Sequence, residues 1–74
     1  MIHEFKRRQV IAARALLGWT QLDLARQANV SVSTINRFER GRCHQGYHRS
    51  NLYTTLASAG IEFMDDGLRL LKRG

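Results

Sequence analysis

Residues 20–41 read TQLDLARQANVSVSTINRFERG, and they contain two short helical patterns separated by three residues. Thr20 is a favourable N-cap, so the first pattern predicts a helix over about 21–28. Asn29 is the non-glycine residue that best tolerates the left-handed conformation in which a helix ends abruptly. Three residues of this first pattern recur at helical spacing and form its inner stripe: Leu24, Ala25 and Ala28.

The second pattern begins at Ser31, which can cap a helix over about 32–40 that Gly41 closes. Ile35 and Phe38 lie three residues apart and predict its buried side. The opposite side is polar. Two short helices joined by a three-residue turn, the second with a polar outer face, are a helix-turn-helix arrangement whose second helix can enter a major groove about 12 Å wide.

Two further helices are predicted outside this pair. The first extends from about Glu4 to Leu17 and ends at Gly18, with Val10 and Ala13 facing the core. Residues 42–49 show no periodicity and predict a loop. Ser50 can then cap a fourth helix from Asn51 to Ala59, in which Leu52 and Leu56 are core positions and which Gly60 ends.

The spacing of apolar residues changes from 3.6 to 2 after Gly60, which predicts two short strands around an Asp66-Gly67 turn. With a two-residue loop at that position, Phe63 lies opposite Leu70. Four apolar side chains then share one face of the strand pair: Ile61, Phe63, Leu68 and Leu70. We therefore expect a mainly α fold of four helices with a short C-terminal β-hairpin.

The positive charge of the chain is unevenly distributed. The 74 residues carry a formal net charge of +6, with nine Lys and Arg against three acids in residues 1–49 and three against three in residues 50–74. Segregated positive charge favours a polyanionic partner, nucleic acid first and an anionic membrane second. A basic surface that only keeps the protein soluble is the remaining alternative. Arg14, near the inner side of the first helix, argues against a lipid-facing stripe.

The composition also limits the class of protein. A single cysteine, Cys43, excludes an intramolecular disulfide scaffold, and no Cys-x-x-Cys spacing is present. The longest apolar run has four residues, Val10 to Ala13, which is too short for a signal peptide or a membrane span. These features predict a reduced, soluble, cytoplasmic protein.

We also considered a metal site and an enzyme. Cys43, His44 and His48 crowd into one predicted loop without a second ligand pair, which is a weak zinc pattern. A Cys-His nucleophilic pair would lack an orienting third group and a pocket. No glycine-rich phosphate loop is present, so we expect no enzyme, no metal and no cofactor.

Residues 14–41 resemble the lambda-repressor-like helix-turn-helix family, also called the Cro/cI or xenobiotic-response-element type. The resemblance rests on the positions at which the chain agrees with the family pattern: Arg14, Gly18, Thr20-Gln21, Leu24-Ala25, the turn from Ala28 to Ser31, Thr34-Ile35 and the helix end from Glu39 to Gly41. It implies a DNA-binding domain over residues 1–60, and a tail over 61–74 for dimerisation or partner docking. Asn29 replaces the usual glycine, the loop after Gly41 has no proline, and a fifth helix is absent.

The resemblance implies roles for individual residues. Positions facing bases correspond to Val32, Ser33, Asn36 and Arg37, and phosphate contacts are expected from Gln21, Ser31, Arg40, Arg42 and Arg49. Arg14 and Glu39 correspond to a buried ion pair that links the first helix to the end of the recognition helix. A dimer or partner surface is expected at Ile61, Phe63, Leu68 and Leu70.

The expected function is sequence-specific regulation of transcription by a homodimer that binds a palindromic operator in double-stranded DNA. The alternative is a protein-interaction module. In that case the helix-turn-helix is a scaffold, and the apolar tail docks a regulatory or toxin-like protein. A basic recognition face favours the first hypothesis, and an exposed apolar strand pair keeps the second open.

Overall fold

The computed structural model describes residues 7–42, 47–64 and 67–71. Four helices are followed by an antiparallel pair of strands. In chain order the elements are α1 (Arg7–Leu17), α2 (Gln21–Ala28), α3 (Val32–Glu39), α4 (Tyr47–Ser58), β1 (Ile61–Met64) and β2 (Gly67–Leu70). The mainly α fold with a C-terminal hairpin is confirmed.

The boundaries of the first three helices follow from local signals. Gly18 has φ +72° and ends α1, as the sequence predicts. The predicted start of α1 at Glu4 lies outside the described residues. The bounds of α2 are as predicted, and α3 ends one residue early because Arg40 serves as its C-cap.

The predicted start of the fourth helix was wrong. Residues 47–49 are predicted as loop and Ser50 as the N-cap, but α4 begins at Tyr47, so Ser50 lies within the helix. The start of this helix is not predictable from the sequence, because its first turn is mostly polar and has no apolar residues at helical spacing. Leu52 and Leu56 are fully buried, as predicted.

The predicted register of the hairpin was also wrong, by two residues. Phe63 pairs with Leu68 rather than Leu70, and Met64 pairs with Gly67, so Gly67 belongs to β2 instead of the turn. A shift of two residues leaves every side chain on its original face. The predicted apolar face is therefore still correct, although its pairs differ.

The core lies where the four helices meet the inner face of the hairpin. Ile61 is only 3% exposed and belongs to this core, while Phe63 and Leu68 pack against it. Three of the four residues expected to form a dimer or partner surface therefore contact the core of the same domain, and Leu70 is 40% exposed. The Gln9 side chain donates to the backbone oxygens of Met64 and Gly67 at 3.0 and 3.3 Å, which fastens the hairpin to α1.

Candidate nucleic-acid interface

The helix pair α2 and α3 is bounded by side-chain caps. Thr20 Oγ1 accepts from the backbone N–H of Asp23 at 3.0 Å, and Asp23 Oδ2 accepts from the N–H of Thr20 at 2.9 Å. This reciprocal pair is a capping box. At the next helix, Ser31 Oγ accepts from the N–H of Thr34 at 3.1 Å. The capping contacts fix where each helix begins and therefore how both are oriented at the turn.

The turn between the helices depends on Asn29, which has φ +61°. Its backbone N–H and that of Val30 both donate to carbonyls in the last turn of α2. Asn51 on α4 satisfies another of those carbonyls, because its Nδ2 donates to the oxygen of Ala28 at 2.8 Å. The short connection is thus held from both sides, and α3 emerges with its polar face outward.

The outer face of α3 and the first residue of α2 surround a shallow concavity of about 320 Å³. Val32, Ser33 and Arg37 are exposed there, while Gln21 and Asn36 are partly buried. All four residues expected to face bases therefore lie together, and Gln21 lies beside them. The residues that line this concavity are Gln21, Val32, Ser33, Asn36 and Arg37.

A chain of polar contacts lies beneath the concavity. Arg14 donates from Nε to Glu39 Oε2 at 2.7 Å and from Nη2 to Oε1 at 3.0 Å. Gln21 Nε2 donates to the same Oε1 at 2.9 Å, and Asn36 Nδ2 lies 3.5 Å from Gln21 Oε1. These contacts connect the interior of the domain to the face of α3.

The end of α3 has a partner that sequence reasoning missed. Arg7 Nη1 donates to the backbone oxygen of Glu39 at 3.1 Å, which satisfies a carbonyl at the helix C-terminus. A Cβ at Gly41 would lie 3.1 Å from Arg7 Nε, and Gly41 has φ +77°. Glycine at this position therefore suits both the backbone and the close approach of Arg7. A basic residue at the start of α1 carries no local signal for this contact.

The residues expected to contact phosphates are distributed around this face. Ser31, Arg40 and Arg42 are exposed at the two ends of α3. Arg49 lies in α4 rather than in a loop, does not line the concavity and is partly buried, and its Nε has no hydrogen-bond partner among the described residues.

The other features considered from sequence do not contribute to this face. Cys43 and His44 lie outside the described residues, as does the side chain of His48. Within residues 7–42, 47–64 and 67–71, no cluster of three potential metal ligands occurs. In the same ranges, no helix has the length and apolar character needed to cross a bilayer.

Comparison with known proteins agrees with this geometry. A family model described as helix-turn-helix matches residues 10–43, which include most of α1, the whole of α2 and α3, and the turn between them. No curated protein matches the chain. Residues 10–43 are therefore a helix-turn-helix unit, similar to the lambda-repressor-like, xenobiotic-response-element family of DNA-binding regulators.

Proposed function

We propose that this protein is a sequence-specific transcriptional regulator that inserts α3 into the major groove of its operator. The observation that carries the proposal is the clustering of Gln21, Val32, Ser33, Asn36 and Arg37 around one exposed concavity. Helix-turn-helix proteins place the N-terminal residues of the second helix against base edges. An exposed arginine, an asparagine and an apolar side chain suit guanine, adenine and the thymine methyl group.

Backbone contacts complete the proposed interface. The N-terminus of α2 presents Gln21 beside the concavity, and helix N-termini favour anions such as phosphate. Arg40 and Arg42 are exposed at the other end of α3. Contacts from these residues would fix the register of the protein on the duplex, while residues of α3 would read the bases.

We further propose that the protein acts as a homodimer on a palindromic site. Met64, Leu70 and Leu71 of the hairpin region are 37–45% exposed, and they provide apolar surface for a second copy. Two-fold symmetry would place the two recognition helices in successive major grooves, about 34–36 Å apart. The same residues are the basis of the alternative, in which the hairpin docks a regulatory protein.

Titration with duplex DNA tests the proposed function. We expect random duplexes to bind at micromolar protein concentration and to dissociate as salt rises, because phosphate contacts release counterions. Selection from a random duplex pool should then enrich an inverted repeat. Failure to bind DNA at low salt would exclude the DNA-binding hypothesis and favour the protein-interaction module.

A further inference from the structure

The hydrogen bonds beneath the concavity have a fixed direction. These hydrogen bonds link four side chains, which we name the polar relay: Arg14, Glu39, Gln21 and Asn36. We propose that the polar relay turns the carbonyl oxygen of the Asn36 amide toward the DNA, so that Asn36 selects a base with an exocyclic amino group. This inference rests on the proposed function, because it specifies what one side chain of the same interface reads.

The direction is set at Glu39. Its side chain is only 6% exposed, and both of its oxygens accept hydrogen bonds from Arg14. A carboxylate can only accept hydrogen bonds. Whichever end of Gln21 faces Glu39 must therefore be a donor, and in the structure Gln21 Nε2 lies 2.9 Å from Glu39 Oε1.

The orientation of Gln21 then determines that of Asn36. With Nε2 committed to Glu39, the other end of the Gln21 amide is its acceptor oxygen, Oε1. Asn36 must meet that oxygen with a donor, and its Nδ2 lies 3.5 Å away. A reversed amide would oppose two oxygens at Gln21, so Asn36 Oδ1 is the end turned away from the polar relay.

An outward Oδ1 discriminates between bases. In the major groove, the N6 amino group of adenine and the N4 amino group of cytosine donate, whereas guanine O6 and thymine O4 accept. Asn36 therefore accepts from adenine or cytosine on the strand it contacts and opposes its oxygen to guanine or thymine. The second hydrogen on Nδ2 remains for adenine N7, so adenine satisfies both ends of the amide.

Site selection from a random duplex pool tests the polar relay. The position read by Asn36 is the one at which Asn36→Ala loses its preference. There, the wild-type protein should favour adenine or cytosine over guanine or thymine by about tenfold or more. Gln21→Met removes the oxygen that orients Asn36 and keeps the length of the side chain. In this variant the ratio should fall below about threefold at that position only.

Gln27→Met is the matched control, since Gln27 is an exposed glutamine on the same helix, α2, and lies outside the concavity. This control should keep the full wild-type preference. Loss of a phosphate contact at Gln21 would lower affinity for all sequences and leave the ratio between bases unchanged. A change in that ratio within the Gln21→Met variant therefore reports on the orientation of Asn36.

A measurement on the wild-type protein alone does not depend on how the variants fold. Hypoxanthine carries an oxygen in place of the adenine amino group and keeps N7. Replacing adenine with hypoxanthine at the Asn36 position should weaken binding about tenfold. If the wild-type protein selects a site but hypoxanthine binds as well as adenine, or Gln21→Met keeps the preference, the polar relay does not orient Asn36 and the proposed function stands. If the wild-type protein binds no DNA, both are overturned.

Discussion

Arg14 on α1 and Glu39 at the end of α3 form a two-pronged ion pair, with donor to acceptor distances of 2.7 and 3.0 Å. The side chains are 18% and 6% exposed, so most of their charge is removed from water. Arg14 also donates from Nη1 to the backbone oxygen of Trp19 at 3.0 Å. One arginine therefore connects α1, the segment before α2 and the end of α3.

We expect Arg14→Ala to destabilise the fold strongly, because it leaves a buried carboxylate without its cation. Removing one partner from such a pair costs about 3–5 kcal/mol. In a domain of this size, that cost lowers the melting temperature by more than about 12 °C. Arg26→Ala, which removes an exposed arginine from α2, is the control and should melt near the wild-type temperature. Equal melting of Arg14→Ala and the wild-type protein would show that the pair contributes no stability.

The turn residue Asn29 gives a second prediction. A non-glycine residue in the left-handed region is disfavoured by about 1–2 kcal/mol, and asparagine tolerates it better than alanine. With φ at +61°, Asn29→Ala should lower the free energy of unfolding by about this amount, whereas Asn29→Gly should leave it near the wild-type value. Urea unfolding of both variants measures the difference. If alanine and glycine behave alike, the strain argument fails.

The capping box makes stability depend on pH. The hydrogen bond that the Thr20 backbone N–H donates to the Asp23 carboxylate holds the pKa of that carboxyl below its ordinary value of 3.8. The Thr20 side chain has a smaller effect in the same direction. The folded state therefore favours the carboxylate, and its contribution is full above the ordinary pKa and disappears as pH falls through the lowered one.

Asp23→Asn should consequently lose less stability than the wild-type protein when both are acidified from about pH 5 to pH 2.5. Thermal melts across this range provide the measurement. Thr54→Ala, at an exposed position on α4, is the control and should lose as much stability on acidification as the wild-type protein. Parallel pH profiles for the Asp23→Asn variant and the wild-type protein would contradict the prediction.

The recognition surface predicts two kinds of DNA-binding defect. Asn36→Ala or Arg37→Ala should cost about 1–3 kcal/mol at the best site and relax preference at one or two base pairs. Arg42→Ala should weaken binding to all sequences about equally and lower the salt slope by about one unit for each phosphate that is no longer neutralised. Affinity for the operator and for scrambled DNA at several salt concentrations separates the two. The assigned roles are reversed if Arg42→Ala changes sequence preference while Arg37→Ala does not.

The proposed dimer predicts a defect that leaves the fold intact. Leu71 is 45% exposed beside β2, so Leu71→Glu should place charge in the interface without entering the core. The variant should sediment as a monomer, melt like an undimerised wild-type chain and bind its operator at least about 100-fold more weakly, because avidity disappears. Leu16→Glu, at a leucine on α1 that is 47% exposed, is the control and should remain dimeric. An unchanged sedimentation coefficient for Leu71→Glu would mean that the hairpin serves its own subunit alone.

Features that depend on neighbouring residues could be derived from the sequence. The bounds of α2, the caps at Thr20 and Ser31 and the left-handed Asn29 follow from contacts within a few positions along the chain. The buried side of each helix can also be predicted from the sequence, because helical spacing alone places Leu24 on the inner side of α2 and Ile35 on the inner side of α3. Local signals also determined which four helices and which two strands form, and which side chains of the hairpin face inward.

Only the tertiary structure decided what joins these elements. The pairing of Phe63 with Leu68 depends on how the hairpin packs on α1, and a slip of two residues keeps the same apolar face, so pattern alone does not select the register. The early start of α4 and the contacts of Arg7 and Asn51 likewise carry no local signal. The direction of the Asn36 amide is the clearest case, since it follows from Glu39 only when folding brings three helices together around Gln21. Which end of an amide donates and which accepts depends on side chains that are distant in sequence, so only the folded arrangement determines it.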